Sequence, residues 1–210
     1  SKLKFNDYFV QEGLAFRFTP FNYRVWGDAE GDNGYAVDIE KLYDNVMNRY
    51  KYGGLDTPGL YLDETTLRPC YYHRRLFAQL AKELIKQGDH VRARKVLTYA
   101  EQAVPAYNVP EIYESGSFDI ATAYAALGEK TKAVTLFNHL IAESEDYINW
   151  AFSLGNGRTG MMQNDCLYKF WQWNAYNERM KEIDKESYEA SNRRFEEKYA
   201  LFTQIINNRN

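Results

Sequence analysis

The sequence has its most regular pattern between about Pro69 and Ser153, where apolar residues recur at spacings of three and four. This period is typical of amphipathic helices that turn one face towards a core. Two runs offset by 40 residues place bulky and small residues in matching positions. The first run comprises Phe77, Leu80, Ala81, Leu84, Gly88, Ala93, Leu97, Ala100 and Pro105. The second run comprises Ile120, Ala121, Tyr124, Gly128, Ala133, Phe137 and Leu140. The chain is therefore expected to contain an internal helical repeat.

Both runs keep a small residue, a glycine and a second small residue at the same spacing, which is the pattern of tetratricopeptide repeats. In that repeat the small residues lie where two helices touch, and the glycine separates the helices. The period is 40 rather than about 34 residues because 106–116 inserts a proline-containing loop. The second copy is degenerate, since Ser117 replaces the first bulky residue and Glu145 replaces the closing proline. The pattern predicts two tetratricopeptide-like helical hairpins over residues 67–155.

The preceding segment, residues 1–66, begins with a strand pattern. Leu14, Phe16 and Phe18 alternate with less apolar residues, which predicts a half-buried strand that ends at the next proline. A polar loop with three glycines follows over 27–34. This part of the segment is expected to pack on the repeats.

A helix is predicted next. Asp38 is suited to cap its first turn, and apolar residues recur at spacings of three and four from Ile39 onwards. The helix is expected to end at Gly53–Gly54, and Leu55–Leu67 is predicted to be a loop with a proline-containing turn.

The last segment, residues 156–210, is predicted to form capping helices. One apolar stripe comprises Cys166, Phe170, Trp173, Asn177 and Met180, and a second comprises Phe195, Tyr199, Phe202 and Ile206. Two repeats are fewer than the roughly three that usually make a stable stack, so a cap is needed. The fold class expected for the whole chain is therefore mainly α, in one compact unit with a short β-containing N-terminal segment.

Composition excludes some classes of function. The 210 residues carry 26 Lys and Arg against 29 Asp and Glu, a net charge of −3, which is not the footprint of a nucleic-acid-binding protein. No stretch approaches the roughly 18 consecutive apolar residues of a membrane helix, so no direct membrane span is expected. The chain begins Ser1-Lys2 without an initiator methionine or an apolar leader. We therefore expect it to be a segment whose targeting signal lies outside it.

The residues that most often bind metals are scattered. His73, His90 and His139 have no carboxylates at ligand spacing, so a zinc site is not expected. Cys70 and Cys166 are too far apart in sequence for a zinc motif, and they are expected to be buried thiols. A disulfide between them is the alternative in an oxidising compartment.

Three further motifs have a structural and a functional interpretation. Gly155–Gly160 spells G-x-G-x-x-G, but it lacks the flanking strands of a dinucleotide site, which predicts a glycine-rich connector and no cofactor. Asp63 and Glu64 are adjacent, so their side chains diverge and a helix start is expected rather than a glycosidase pair. The third motif is an aromatic cluster that comprises Tyr168, Trp171, Trp173 and Tyr176. These side chains are expected in the core, with a sugar-stacking platform as the alternative.

Several short runs of residues are shared with a known family. They are Asp7-Tyr8-Phe9, Glu12-Gly13-Leu14-Ala15, Arg17, Val37-Asp38, Tyr43-Asp44-Asn45, Met47-Asn48, Gly53-Gly54 and Tyr61-Leu62-Asp63-Glu64. With the repeats, they resemble the C-terminal soluble region of bacterial domain-of-unknown-function family 2723, in order, over roughly residues 5–155. Members of that family have a multi-spanning N-terminal half similar to protein O-mannosyltransferases and a periplasmic region with tetratricopeptide-like repeats.

The resemblance implies a periplasmic location, as the soluble part of an inner-membrane protein. The glycosyltransferase-like acids of the family belong to the membrane half, so no catalytic residue is carried over to this chain. The leading hypothesis is a non-catalytic interaction module that holds an acceptor protein or partner subunit, including the membrane-embedded half of its own polypeptide. A stand-alone peptide-binding scaffold is the second hypothesis, and a carbohydrate-active enzyme is the third.

The repeat pattern also predicts where a partner would bind. In tetratricopeptide arrays the first helix of each unit lines the concave face, where extended peptides lie. The groove-side positions are Arg75, Ala78, Lys82 and Lys86 in the first unit, and Phe118, Thr122 and Ala125 in the second. The three cations form a positive strip suited to a carboxylate or an acidic peptide, and a solvated helix face is the alternative interpretation.

Overall fold

The computed structural model describes residues 5–22 and 35–207. The mainly α fold predicted from the sequence is confirmed: this part of the chain holds eight α-helices and one small sheet of three strands. None of the helices within it has the length and hydropathy that crossing a membrane requires. The loop predicted over 27–34 lies outside the described residues.

The elements follow one another in a simple order. The strands are β1 (Phe9–Gln11), β2 (Phe16–Phe18) and β3 (Ala36–Val37). The first helices are α1 (Ile39–Asp44), α2 (Glu64–Lys86), α3 (His90–Ala103) and α4 (Ser117–Ala126). The remaining helices are α5 (Lys130–Ser153), α6 (Asn156–Met161), α7 (Gln163–Ile183) and α8 (Lys185–Asn207). Short 3₁₀ turns occupy Phe5–Tyr8 and Tyr113–Ser115, and a π-helical turn occupies Asn45–Arg49.

The chain divides into two compact units. Unit 1 comprises Ser1–Pro110 and Glu114–Ala123, and unit 2 comprises Glu111–Tyr113 and Tyr124–Asn210. The organisation predicted from the sequence, with boundaries at 66 and 155, stays a prediction.

The sheet of unit 1 has β1 in its centre. β1 pairs antiparallel with β2 and parallel with β3, and Val10 of β1 is fully buried. The half-buried strand expected around Leu14 is wrong in its burial, because Leu14 precedes β2 and every residue of β2 is exposed. The aromatic rings of β2 contact other rings of the same segment instead of a core: Phe18 meets Phe9 at 5.5 Å, and Phe16 meets Tyr35 at 4.9 Å.

The helix predicted after Asp38 is confirmed at its start and corrected at its end. The Asp38 carboxylate accepts a hydrogen bond from the Lys41 backbone N–H at 3.1 Å, as an N-cap does. Beyond α1 the chain makes the π-helical turn and becomes extended at Tyr50, before the glycine pair that was expected to end the helix. Gly53 and Gly54 instead have φ of +62° and +75° in the loop that follows.

α2 begins about one turn earlier than the sequence predicted. Asp63 accepts hydrogen bonds from the backbone N–H groups of Thr65 and Thr66 at 2.8 and 3.0 Å, which caps the helix. The helix-start role expected for Asp63 is thereby confirmed, and Glu64 forms an ion pair with Arg68 at 2.7 Å. Pro69 lies inside the helix, where it removes only one backbone hydrogen bond near the N-terminus.

The turns of the two hairpins have the same pattern of backbone hydrogen bonds, offset by 40 residues. Gly88 and Gly128 have φ of +79° and +77°, a left-handed conformation that favours glycine. In the first turn, the backbone N–H groups of Gly88, Asp89 and Ala93 donate hydrogen bonds to the carbonyl oxygens of Ile85, Leu84 and Asp89, respectively. In the second turn, the backbone N–H groups of Gly128, Glu129 and Ala133 donate to the carbonyl oxygens of Ala125, Tyr124 and Glu129, respectively. The assignment of these hairpins to the tetratricopeptide class stays a prediction.

The small residues of the repeat are suited to a stability test. Ala81 and Ala121 are both 0% exposed, so a leucine at either position must displace packed neighbours. We expect Ala81→Leu and Ala121→Leu each to lower the free energy of unfolding by about 1–3 kcal/mol. Urea unfolding followed by circular dichroism measures the effect. Ala126→Leu is the control, since Ala126 is exposed in α4; equal midpoints for all four proteins would contradict the packing assignment.

In unit 2, α7 packs against both α5 and α8. The first stripe predicted for this region is confirmed, because all five of its residues, from Cys166 to Met180, are buried. The second stripe is only partly right: Phe202 is buried, but Tyr199 is 43% exposed and Ile205 is buried more deeply than Ile206. Since α8 packs on α7 along one side, the edge of its stripe remains in contact with solvent.

Candidate functional site

The five residues predicted to bind a peptide lie in unit 1, and we call them the α2–α4 face: Arg75, Lys82, Lys86, Phe118 and Thr122. Spacings of seven and four place the three cations on one side of α2. Arg75 and Lys86 are exposed, and the other three residues are half-buried. Ala78, which was expected to line the groove, is 1% exposed and therefore lines no open surface.

Arg75 joins α2 to the start of α4. Its Nε donates a hydrogen bond to the Glu114 carbonyl oxygen at 2.7 Å, and its Nη2 donates to the same oxygen. Gly116 follows with φ of +82°, and a Cβ there would lie 2.9 Å from the Arg75 Cγ and 3.1 Å from its Cα. The backbone therefore passes so close to α2 that only glycine fits. Arg75 both positions the start of α4 and presents charge at the surface.

Lys86 neutralises a buried acid. Its Nζ lies 2.8 Å from Oε1 of Glu83, whose side chain is 1% exposed. The second carboxylate oxygen of Glu83 is buried without a hydrogen-bond partner among the described residues. Because a buried unpaired charge is costly, Lys86 also contributes to the stability of α2.

The N-terminal sheet reaches the same side of α2. Gln79, which lies between Arg75 and Lys82 on the cationic stripe, donates a hydrogen bond from Nε2 to Oε1 of Gln11 at 2.8 Å. Gln11 belongs to β1 and is 8% exposed. The middle of the α2–α4 face is thus in contact with the protein's own β1.

The α4 side of the face is held by local bonds. The hydroxyl of Thr122 donates to the Phe118 carbonyl oxygen at 2.9 Å within the helix. Gly116, two residues before Phe118, lies directly against Arg75 of α2. The segment that leads into α4 therefore lies against Arg75, and the assignment of this face to peptide binding stays a prediction.

Sequence reasoning missed Arg74, which is buried although Arg75 beside it is exposed. Nη1 of Arg74 donates to the Pro110 carbonyl at 2.6 Å and to the Ser115 hydroxyl at 3.0 Å. Nη2 donates to the carbonyls of Val104 and Val109 at 2.9 and 2.6 Å. One guanidinium thereby fixes the loop that lengthens the repeat. The helical period alone could have marked Arg74 as an inward position.

The aromatic cluster of α7 divides between core and surface. Trp173 and Tyr176 are 0% exposed, as the core interpretation required. Trp171 is 52% exposed, but the ring of Tyr168 stacks on it at 5.7 Å and Tyr113 meets it edge-on at 5.3 Å. Aromatic neighbours therefore occupy the ring that could have stacked on a sugar.

The histidines and cysteines occupy separate environments. No group of three or more metal-ligating side chains occurs in residues 5–22 and 35–207. Burial lowers the pKa of His73 and raises the pKa values of Cys70 and Cys166. Both cysteines are free and buried, as expected for structural thiols, and their raised pKa values disfavour the reactive thiolate.

The G-x-G-x-x-G motif follows a helix rather than a strand. Gly155 has φ of +83° directly after α5, and the rest of the motif forms the short helix α6. The hydroxyl of Thr159 donates to the Ala151 carbonyl at 2.7 Å and is buried. The prediction that this motif connects two helices, without flanking strands, is confirmed.

A tyrosine-rich cavity of about 590 Å³ lies elsewhere in unit 1. Tyr50, Tyr52 and Tyr99 line it together with the loop at Gly53. The Tyr52 hydroxyl donates to the Val46 carbonyl at 2.6 Å, and burial, with Tyr99 and Tyr50 nearby, raises its pKa. The Tyr52 hydroxyl therefore stays protonated at neutral pH and serves as a hydrogen-bond donor.

Comparisons of the chain with protein-family models, with curated proteins and with solved structures gave no match. The resemblance drawn from short runs of residues therefore stays a prediction.

Proposed function

We propose that this chain is a non-catalytic periplasmic interaction module of a membrane glycosyltransferase-like protein, and that it holds an acceptor protein or a partner subunit. The observation that supports this proposal is the α2–α4 face, where a stripe of cations adjoins the start of the next hairpin. The resemblance in sequence supplies the membrane and periplasmic parts of the proposal.

The chemistry of the face favours an acidic, extended segment. Lys82 lies on the stripe between Arg75 and Lys86, so carboxylates spaced along a peptide could meet successive cations. Each exposed ion pair contributes only about 0.2–1 kcal/mol, and binding therefore depends on several contacts together. Phe118 adds a half-buried aromatic ring at the α4 end of the face.

The proposed partner is the membrane-embedded half of the same polypeptide, produced as a separate protein. Lys82→Glu reverses one charge of the stripe without removing the bonds of Arg75 or the partner of Glu83. We expect this change to weaken binding to the membrane half about fivefold, in proportion to one lost contact of roughly 1 kcal/mol. Biolayer interferometry with the membrane half in detergent measures the affinity.

Lys95→Glu is the matched control. Lys95 is exposed on α3, and its replacement by glutamate changes the net charge by the same amount. Equal affinities for Lys82→Glu and Lys95→Glu would contradict the assignment of the face. A complete reading frame without hydrophobic spans would overturn the membrane part of the proposal and favour the stand-alone peptide-binding scaffold.

A further inference from the structure

The exposed side of α5 in unit 2 carries a shallow groove of about 560 Å³. A single stripe of the helix lines it: His139, Ala142, Glu143, Asp146, Tyr147 and Trp150. From the first to the last of these residues the helix rises about 16 Å, at roughly 1.5 Å per residue. The groove is therefore long and open, as suits a chain-like ligand rather than a compact one.

Trp150 provides an uncovered aromatic surface at one end of the groove. Its side chain is among the exposed large hydrophobic groups, at 50%, and its one ring contact in the described chain is with Tyr147. That contact is edge-on, at 5.4 Å and 62°. Trp171 has a similar exposure of 52% but two aromatic neighbours. Exposure alone does not distinguish these tryptophans, whereas the number of ring contacts does.

The polar groups along the groove include both donors and acceptors of hydrogen bonds. Asp146 is exposed one turn before Trp150, and its carboxylate makes no hydrogen bond or ion pair with the described residues. His139 is exposed, and its Nδ1 lies 3.0 Å from Oε2 of Glu111, which leaves Nε2 facing away from that pair. The indole N–H of Trp150 is a further donor.

A lysine makes the groove less suited to a cationic ligand. Nζ of Lys169 bonds both oxygens of Glu143, at 2.8 and 2.9 Å, and lies 5.7 Å from the centre of the Tyr147 ring. One acid and one aromatic face are thus already occupied by an internal cation. Lys169 neutralises Glu143, so Asp146 is the lining acid whose charge is left unpaired, and its carboxylate can accept a hydrogen bond from a hydroxyl group of an uncharged polyol.

A saccharide combines the features that this surface can bind. Its ring has an apolar C–H face that stacks on an aromatic side chain, and its hydroxyl groups both donate and accept hydrogen bonds. We propose that the α5 groove binds a neutral oligosaccharide, with one sugar ring on Trp150 and hydroxyl groups bonded to Asp146 and His139. The site uses residues of unit 2 alone and goes beyond the proposed function, which concerns the α2–α4 face.

The test uses the intact chain and three neutral probes: mannohexaose, cellohexaose and chitohexaose. Isothermal titration calorimetry is expected to show binding of at least one probe in the millimolar range or tighter. Trp150→Ala is expected to weaken that binding about five- to tenfold, because a well-formed aromatic contact is worth roughly 1–1.4 kcal/mol. Asp146→Asn, which keeps the shape but removes the charge, is expected to cause a smaller loss.

Trp171→Ala is the matched control and is expected to leave the affinity unchanged. Circular dichroism and thermal unfolding establish that each variant is folded. Absence of binding for all three probes would overturn the proposal, as would equal losses in Trp150→Ala and Trp171→Ala. Hexalysine binding that depends on Trp150, without saccharide binding, would also overturn it and assign the groove to a basic peptide. Because the Lys82→Glu assay uses a different face and partner, the two proposals fail independently.

Discussion

Replacing Arg74 by methionine is expected to lower the free energy of unfolding of unit 1 by at least about 3 kcal/mol. The change removes at least four hydrogen bonds and leaves the carbonyls of Val104, Val109 and Pro110 without this donor. A buried acceptor that loses its partner costs about 1–3 kcal/mol, and several are lost together. Urea unfolding measured by circular dichroism gives the difference from wild type.

Arg75→Met is the matched control, because it removes the same functional group one residue away. Arg75 is exposed, so water can replace its bond to Glu114, and we expect a loss of about 1 kcal/mol or less. Arg74→Lys separates charge from geometry: an ammonium group cannot span four acceptors arranged around a fork. Equal unfolding midpoints for Arg74→Met and Arg75→Met would show that the buried guanidinium does not hold the loop.

The second large effect is expected in unit 2, at Ser191. The Ser191 hydroxyl accepts a hydrogen bond from Nε1 of Trp173 at 2.8 Å and donates one to Oδ1 of Asn177 at 2.6 Å. All three residues are buried, so Ser191→Ala leaves one donor and one acceptor without these partners. We expect the free energy of unfolding to fall by about 2–4 kcal/mol. Thermal and urea unfolding both report this change.

Thr203→Ala on the same helix provides the comparison for Ser191→Ala. Thr203 is exposed, and its hydroxyl bonds only the Tyr199 carbonyl one turn earlier. The loss expected there is within about 0.5 kcal/mol. A similar loss in both variants would mean that the buried network adds nothing beyond the change in helix propensity.

Much of the helical architecture follows from periodicity. Ala81 and Ala121 were expected at helix contacts and are fully buried, and Gly88 and Gly128 were expected to separate helices and have matching left-handed turns. These features are local or repeat along the chain, so a pattern of residue types reports them. The exposed β2 strand shows the limit, because alternation indicates a strand but not whether another layer covers it.

The candidate site could be predicted only in part. The period placed Arg75, Lys82 and Lys86 on one side of a helix, as the structure has them. It did not indicate that Arg75 bonds Glu114 or that Lys86 pairs with buried Glu83, because these contacts depend on the path of a loop and on packing beneath the helix. The α5 groove was missed for a related reason: the exposure of Trp150 depends on which faces of α5 other elements cover.

The bond between Gln11 and Gln79 has a thermodynamic consequence for any ligand of the α2–α4 face. A peptide lying along the whole stripe would compete with β1 for the same glutamine. Its apparent affinity would then equal its intrinsic affinity multiplied by the fraction of molecules in which β1 has moved aside. By linkage, a bound peptide would weaken the contact of β1 with α2 by the same factor by which that contact weakens peptide binding. Peptide binding and the packing of β1 would therefore oppose each other.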